Sequence, residues 1–253
     1  MHVNELKYNT FMDARYTDGT YLADNPTWHA EDAPWKLSHV LRALQDARID
    51  LFTSVCDLGC GSGALVKTWA HMKPEISFTG YDVSPQALAL CRQNAPKNTT
   101  FVTGNTLPVG PYQVVLALDV IEHIPDNESW LARAASAGDV LVLHVPLQLS
   151  FYTWLRPAWL QQERERVGHV HFYTVCSFKK SLKRQPLQIL SWHYTNKYIE
   201  CPQPLPHLHS KIGMCIRKVL HAVLPTAWVA WLVGGYSVMC VVKKTNGPAS
   251  EAV

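Results

Sequence analysis

The stretch that decides the fold is "VCDLGCGSGAL" (residues 55–65), in which a short apolar run ends in Asp57 and three glycines follow at alternate positions. Gly59, Gly61 and Gly63 allow the main chain to turn sharply and let a ligand lie against bare backbone. The residues after the turn favour a helix, whose first N–H groups can bind an anion such as a carboxylate. The stretch therefore predicts a strand, a ligand-binding turn and a helix.

Strand-like and helix-like segments alternate on both sides of this turn. A helical spacing of apolar residues covers positions 33–49 before it, and helices are predicted between the strands that follow. Such alternation predicts an α/β fold, with a parallel sheet covered by helices on both faces. The predicted strands are "FTSVCDL", "ISFTGYDV", "TTFVTG", "YQVVLALDV", "DVLVLHVP", "LQILSWHYTN" and "YSVMCVVKK".

Length and composition suit one folded domain. We divide the 253 residues into an N-terminal lid (1–34), a ligand-binding core (35–146) and a segment (147–253) with a helical insertion and the final strands. A net charge of +3 is too small to indicate nucleic acid as a partner. Seven scattered cysteines without a CxxC pair, and a first segment without a signal-peptide core, favour a cytoplasmic protein. The composition does not indicate an oligomeric state.

One apolar segment raises the question of a membrane. Residues 219–242 contain no acid, lysine or arginine, and they are long enough to span a bilayer. Pro225 and the Gly234-Gly235 pair divide the segment, which favours a core element ending in a strand. Residues 211–233 mix bases with large apolar side chains, so peripheral contact with a membrane surface or a lipid-linked substrate stays open.

A second acid follows the glycine turn at the interval expected for a nucleotide site. Asp82 ends the next predicted strand, in the position of a carboxylate that accepts from both ribose hydroxyls. A dinucleotide site would read GxGxxG, whereas this turn places Asp57 two residues before its first glycine. That acid repels a pyrophosphate and suits a positively charged amine. An adenosine ligand with a cationic tail fits both acids better than NAD does.

Three motifs in this order, "VCDLGCGSG", "GYDVS" and "DVIEHIPD", resemble the class I S-adenosylmethionine-dependent methyltransferases over residues 35–146. The resemblance implies a Rossmann-like seven-stranded sheet of order 3-2-1-4-5-7-6 with an antiparallel last strand. It also implies a glycine turn around the methionine moiety. Asn105 stands where relatives often carry an acid near the adenine, and an amide accepts more weakly. The expected cofactor-binding residues are Asp57, Gly59, Cys60, Gly61, Gly63, Asp82, Val83, Asn105, Thr106, Asp119 and Val120.

The end of the fourth strand leaves three interpretations open for Glu122 and His123. They belong to the scaffold, they bind or deprotonate the acceptor together with His169 or His171 of "GHVHFYT", or they hold Mg²⁺. The chain resembles small-RNA 2′-O-methyltransferases and ubiquinone-pathway O-methyltransferases in its acid-x-x-Glu-His pattern, which in those relatives binds Mg²⁺ with a downstream histidine. Metal is not the favoured interpretation. Its ligands would be Asp119, Glu122, His123 and His169.

Four aromatic side chains within residues 17–36 are candidates for a lid over cofactor and acceptor, namely Tyr21, Trp28, His29 and Trp35. The stretch "WHAEDAPWK" loosely resembles methyltransferases of bacterial polysaccharide clusters, and this resemblance suggests a sugar as the methyl acceptor. The expected function is methylation of a hydroxyl on a small molecule or sugar, with His123, His169 or His171 as base, and a lipid-linked acceptor stays open. The competing functions are a non-catalytic S-adenosylmethionine-binding protein and a membrane-associated protein.

Overall fold

The described part of the computed structural model contains a single seven-stranded sheet, with the order β3-β2-β1-β4-β5-β7-β6. The structure describes residues 16–104, 107, 110–201 and 208–245. The first five strands run parallel, and the last strand in the chain runs antiparallel to both of its neighbours. The predicted order and orientation are therefore confirmed. The strands are β1 (Ser54–Leu58), β2 (Ser77–Asp82), β3 (Thr99–Thr103), β4 (Tyr112–Leu118), β5 (Gly138–Leu147), β6 (Leu187–Thr195) and β7 (Tyr236–Lys244).

The central strands are mostly apolar because helices cover both faces of the sheet. Every residue from Val114 to Leu118 in β4 is buried, as is every residue from Val140 to Val145 in β5. Two apolar layers result, one on each side of the sheet. The order of the strands reverses between β1 and β4, and in such sheets the carboxyl ends of these strands flank the ligand crevice.

The helices of the core follow the predicted alternation. The first long helix ends at Asp46 and not at position 49 as predicted, because Arg48 adopts a left-handed conformation with φ of 58°. Ser84 caps the helix after β2 by accepting from the N–H of Ala87, with proline at the first helical position. The helices up to β5 are α1 (Thr20–Asp24), α2 (Ala33–Asp46), α3 (Ala64–Met72), α4 (Pro85–Arg92) and α5 (Asn127–Ala134).

The segment after β5 is more regular than its sequence indicates. The aromatic stretch that begins at position 149 forms two helices, since Ser150 and Thr153 make a reciprocal capping box and Pro157 opens the next helix. The remaining helices are α6 (Phe151–Trp154), α7 (Pro157–Val167), α8 (Val175–Lys183), α9 (Lys197–Glu200), α10 (Leu208–Val223) and α11 (Thr226–Val233).

The apolar segment at residues 219–242 is divided where the sequence predicts. Pro225 separates α10 from α11, and Gly234 and Gly235, both with positive φ, turn the chain into β7. The expectation of a core element is confirmed for β7, which lies buried between β5 and β6, whereas most of the described side chains of α10 lie on the surface. Among the helices of the described residues, none has both the length and the apolar character needed to cross a bilayer.

Candidate active site

The glycine turn joins β1 to α3 and presents bare main chain. Gly59, Gly61 and Gly63 have φ of 74°, 54° and 68°, a region in which side chains are strained. The N–H of Gly59 donates to the carbonyl of Tyr81 on β2 at 2.8 Å, which fixes the turn against the neighbouring strand. A β-carbon at Gly59 would lie 2.7 Å from Val120, so this turn packs against the end of β4.

Asp82 ends β2 beside the turn, where the sequence predicts a ribose-binding carboxylate. One carboxylate oxygen accepts from the N–H of Gly61 at 2.8 Å and the other from the N–H of Ser84 at 2.9 Å. Burial raises the pKa of Asp82 to about 6, although these backbone donors oppose the rise. Each oxygen keeps further lone pairs, so the carboxylate can still accept from ligand hydroxyls.

Asp57 lies beneath the glycine turn, at the end of β1, with 4% of its surface exposed. Burial raises its pKa to about 7, while the positive charge of Lys36 acts in the opposite direction. The described residues that were expected to bind the cofactor line a large cavity, with three exceptions. These are Asp57, Cys60 and Gly63, which lie behind the wall of that cavity. Asn105 and Thr106 lie outside the described residues.

A cavity of about 1040 Å³ opens at the carboxyl ends of β1, β2 and β4. One side is formed by the glycine turn, Asp82 and Val120. The opposite side comes from the segment after β5, including α6, α7, α9 and the end of α11. Such a volume is at the upper end of what small-molecule sites have, and it is large enough for two ligands side by side.

All four aromatic residues expected in the lid line this cavity. Tyr21 and Trp28 have ring centroids 4.8 Å apart, and Trp28 lies over Gly61, where a β-carbon would be 3.7 Å from its ring. His29 is half-exposed. The indole N–H of Trp35 donates to Glu200 at 2.9 Å, which ties the start of α2 to α9.

Asp119 is held by two cationic or hydrogen-bonding partners that the sequence did not indicate. The Nζ atom of Lys36 lies 2.7 Å from one carboxylate oxygen, and Nδ1 of His144 lies 2.6 Å from the other. Burial opposes ionisation of Asp119, but His144 and Lys36 together hold its pKa well below the ordinary value. This residue also has φ of 59°.

That arrangement corrects one expected role of Asp119. The ammonium group of Lys36 already neutralises the Asp119 carboxylate, as a metal ion would. Asp119 is therefore not among the potential metal ligands. Among the described residues, that group consists of Glu122, His123 and His169, whose ligand atoms lie within 4.8 Å of one another.

Glu122 is fully buried, and neither of its carboxylate oxygens has a hydrogen-bond partner among the described residues. Burial, and then the charge of Asp119, raise its pKa well above the ordinary value. An ionised carboxylate in such surroundings is costly unless a cation or a donor approaches it. Glu122 therefore either holds a proton or receives a ligand from the cavity, which it lines.

The two histidines of this group are oriented by acceptors on their Nδ1 atoms. Nδ1 of His123 lies 3.1 Å from the carbonyl oxygen of Gly168, and Nδ1 of His169 lies 2.7 Å from Oε1 of Gln148. The Tyr16 hydroxyl also lies 3.1 Å from Nδ1 of His123. Because the Gly168 and Gln148 oxygens accept, a neutral imidazole at either position would carry its proton on Nδ1 and its basic lone pair on Nε2. Their ring centroids are 4.6 Å apart.

His171, the third expected base, points elsewhere. The N–H groups of Val170 and His171 both donate to the carbonyl of Glu122, so the "GHVHFYT" segment does fold back on the end of β4. Because side chains alternate along this segment, His171 points away from the cavity. Its Nε2 atom lies 3.0 Å from the carbonyl oxygen of Pro125.

Several residues of the cavity wall were missed by sequence reasoning. His144 had a visible signal, because a histidine near the end of an otherwise apolar buried strand requires polar partners. The others lie on helices or connecting segments without a motif, and only the folded chain brings them to the cavity. They are Tyr16, Lys36, Gln148, Tyr152, Arg156, Trp159, Glu163, Lys197, Tyr198 and Arg217.

The sheet order, the left-handed glycine turn and the acid at the end of β2 define the class I methyltransferase fold. Residues 29–191 match the family model described as a methyltransferase domain, and the chain belongs to that family. The resemblance drawn from the three motifs is thereby confirmed.

Similar proteins agree with this assignment. An uncharacterised methyltransferase of Mycobacterium tuberculosis is 26% identical over 79% of this chain and 98% of its own length. A ubiquinone biosynthesis O-methyltransferase of Xanthomonas oryzae is also 26% identical, but over 46% of this chain and 54% of its own length.

A solved structure of similar fold is an S-adenosylmethionine-dependent methyltransferase of Geobacter sulfurreducens in complex with S-adenosylhomocysteine. It has a TM-score of 0.59 and 15% identity, covering 89% of this chain and 97% of that one. Magnesium protoporphyrin IX methyltransferase of Synechocystis, with bound S-adenosylhomocysteine, has a TM-score of 0.55 and 18% identity, covering 89% and 87%.

Proposed function

We propose that the protein transfers a methyl group from S-adenosylmethionine to a hydroxyl of a small molecule or sugar. The observation that carries this proposal is the turn of left-handed glycines beside Asp82, which opens into one cavity shared with His123 and His169. The similar O-methyltransferase of Xanthomonas oryzae supports oxygen as the acceptor atom.

The residues present suit this cofactor. Asp82 has lone pairs available for the two ribose hydroxyls, and the bare main chain at Gly59 and Gly61 leaves room for the methionine portion. Trp28 covers the turn and would exclude water from the reacting atoms. The aromatic residues before the core therefore act as the lid in this proposal.

S-adenosylmethionine would supply a sulfonium methyl group: the acceptor oxygen attacks the methyl carbon in line, the C–S bond breaks, and S-adenosylhomocysteine leaves. The chain must orient the acceptor, for which precise positioning can contribute up to about 7–11 kcal/mol. It must also accept the hydroxyl proton, which contributes about 10²–10⁴-fold. Nε2 of His123 or His169 is the proton acceptor in this proposal, because Gly168 and Gln148 keep the proton on the other nitrogen.

The cofactor part is tested by calorimetry with S-adenosylmethionine. Asp82→Ala removes two charge-assisted hydrogen bonds to the ribose, each worth about 1.5–3 kcal/mol, so affinity should fall at least about a hundredfold. The matched control is Asp139→Ala, an exposed acid at the start of β5. Wild-type protein that does not bind, or equal affinity in Asp82→Ala, would contradict the assignment.

The base is tested by the variants His123→Gln and His169→Gln, with His71→Gln as an exposed control on α3. We expect one of the first two to lower the rate of methyl transfer from labelled cofactor into extract acceptors by about 10²–10⁴-fold, without changing cofactor affinity. The rate should also be measured as a function of pH. A variant that has lost the base should lose the rise in rate near neutral pH, whereas a variant that has lost only a packing contact should keep it.

A second candidate is a metal-dependent O-methyltransferase that uses Glu122, His123 and His169. The unpartnered carboxylate of Glu122 favours it, because a divalent ion would relieve the burial of that charge. Two imidazoles and one carboxylate suit a transition metal better than Mg²⁺, which prefers oxygen. Elemental analysis of the purified protein, with Glu122→Gln as control, tests it, and undiminished activity after chelation would exclude it.

A further inference from the structure

The face of α6 and α11 exposes four large aromatic side chains that form one surface. Phe151 stacks on Trp154 with ring centroids 6.0 Å apart, and it also contacts Trp231 at 6.1 Å. Trp228 lies one helical turn before Trp231, on the same side of α11. These four residues, here called the aromatic face, are 44–71% exposed. A folded monomer rarely leaves contiguous apolar surface of this kind without a partner.

The neighbouring helix α10 extends the apolar surface. Ile216, Val219 and Val223 follow one another at intervals of three and four residues, which places them on one side of the helix. Their exposed fractions are 52%, 56% and 69%. Leu220 instead packs inward with Val229, so α10 keeps its inner contacts and still exposes an apolar row.

The charge of α10 has a single sign. Its sequence contains Lys211, Arg217 and Lys218 and no acid. Lys218 is exposed on this helix. Clusters of bases next to exposed tryptophan and aliphatic side chains are the combination that binds the interface of an anionic bilayer.

The same helices form the outer rim of the cavity. The cavity is lined by Tyr152 of α6, Trp159 of α7, Arg217 of α10 and Val233 of α11, and by Arg156 just before α7. Arg156 donates to the hydroxyl of Tyr152 at 2.6 Å at this rim. A molecule that is anchored in a surface beneath the aromatic face could therefore reach the cavity without leaving that surface.

We propose that the aromatic face and the apolar row of α10 dock on an anionic phospholipid bilayer and that the acceptor is an amphipathic, lipid-anchored molecule drawn from it. The part concerning the acceptor rests on the proposed methyl transfer. A second copy of the chain suits the surface less well, because a symmetric contact would oppose cations to cations. Tryptophan at an interface between water and lipid tails places its ring and its N–H in the surroundings they prefer.

The test is co-sedimentation with vesicles of phosphatidylcholine alone and of phosphatidylcholine mixed with phosphatidylglycerol. The triple variant Trp154→Ser, Trp228→Ser, Trp231→Ser should bind the mixed vesicles at least about tenfold more weakly than wild type. Lys218→Gln alone should weaken binding about fivefold, in line with the removal of one cation at the surface. The matched control is Leu51→Ser with Met72→Ser, two exposed apolar residues at the opposite end of the sheet.

Retained binding in the control and loss in the triple variant support the proposal. Wild-type protein that binds neither vesicle, or a triple variant that binds as well as wild type, overturns it. A wild-type dimer in sedimentation velocity that the triple variant abolishes, without vesicle binding, assigns the face to a second copy and also overturns it. Calorimetry with S-adenosylmethionine on the same variants keeps the two proposals apart, because vesicle binding does not require cofactor binding.

Discussion

The ion pair between Lys36 and Asp119 gives a stability prediction that depends on contacts absent from the motif pattern. Lys36 lies near the start of α2 and Asp119 just after β4, so the pair joins the N-terminal helix to the middle of the sheet. The substitution Lys36→Met keeps most of the side-chain length and removes the charge. Asp119 then retains His144 as its remaining partner.

The expected cost is about 2 kcal/mol. At 2.7 Å and an effective dielectric constant of about 20, the Coulomb attraction is about 6 kcal/mol, and desolvation of both groups offsets much of it. Breaking a fully buried pair costs about 3–5 kcal/mol. Because 20% of the Lys36 side chain and 30% of the Asp119 side chain are exposed, the value here should be smaller. A loss of about 2 kcal/mol corresponds to a fall in Tm of about 4–8 °C.

The measurement is urea unfolding of Lys36→Met, Asp119→Asn and the double variant, whose cycle should give a coupling free energy of about 1–3 kcal/mol. The control is Lys73→Met, since Lys73 and Glu75 form an exposed pair at 3.6 Å that should contribute less than about 1 kcal/mol. A coupling below about 0.5 kcal/mol would refute the reasoning.

The pH dependence of the coupling has a definite sign. The pKa of Asp119 is lowered in the folded state, so its contribution is present above the unfolded value near 4 and is lost as the pH falls further. Burial opposes protonation of Lys36, yet the charge of Asp119 leaves its pKa raised, so its contribution is present below about 10 and is lost at higher pH. The stability difference between wild type and Lys36→Met should therefore be largest from about pH 5 to 9.

Three further predictions concern the glycine turn and its surroundings. Affinity for S-adenosylmethionine, measured by calorimetry, should fall as the pH drops through about 6, because Asp82 then takes up a proton and loses its charge; constant affinity would argue against its role. Gly63→Ala should destabilise the protein by about 1–3 kcal/mol in urea unfolding. The reason is that φ at Gly63 is 68° and that the new β-carbon would lie 2.9 Å from Cys91 and Phe101. The control is Gly213→Ala on α10, where the new β-carbon meets nothing within 4 Å, so this variant should be neutral or stabilising. Trp28→Ala should weaken cofactor binding while Tm changes little, and a large drop in Tm without a change in affinity would show that Trp28 only packs.

The sequence predicted the cofactor side of the cavity because that side is built from consecutive motifs. Each predicted acid or glycine turn stands at the end of a strand, and the carboxyl ends of parallel strands meet at one edge of the sheet. Gly59, Asp82 and Val120 therefore come together by the geometry of the fold alone. Once the alternation of strands and helices is recognised, these positions follow.

The acceptor side could not be predicted in this way. His169 and His171 are two residues apart, and whether either meets His123 depends on how the chain crosses the end of β4. The carbonyl of Glu122 accepts from the N–H groups of Val170 and His171, and this contact between segments 48 and 49 residues apart directs only His169 inward. Periodicity carries no information on such long-range contacts.

The contacts at the start of α2 close one side of the cavity. Lys36 is bound to Asp119, Trp35 to Glu200, and Asp32 to Lys197 at 2.5 Å. These three polar contacts join the start of α2 to the end of β4 and to α9. They close the side of the cavity that faces α2. The wall formed by α6, α7, α10 and α11 contains instead apolar and cationic side chains together with Glu163.

An acceptor that entered past α2 would have to break two ion pairs and the hydrogen bond between Trp35 and Glu200. An acceptor that entered between α6 and α11 would pass Tyr152 and Trp159 and would meet the hydrogen bond from Arg156 to Tyr152, but neither of those ion pairs. In the proposed docking the entrance lies on the side of the aromatic face, and a lipid-anchored acceptor would approach the histidines along the helices proposed to contact the bilayer.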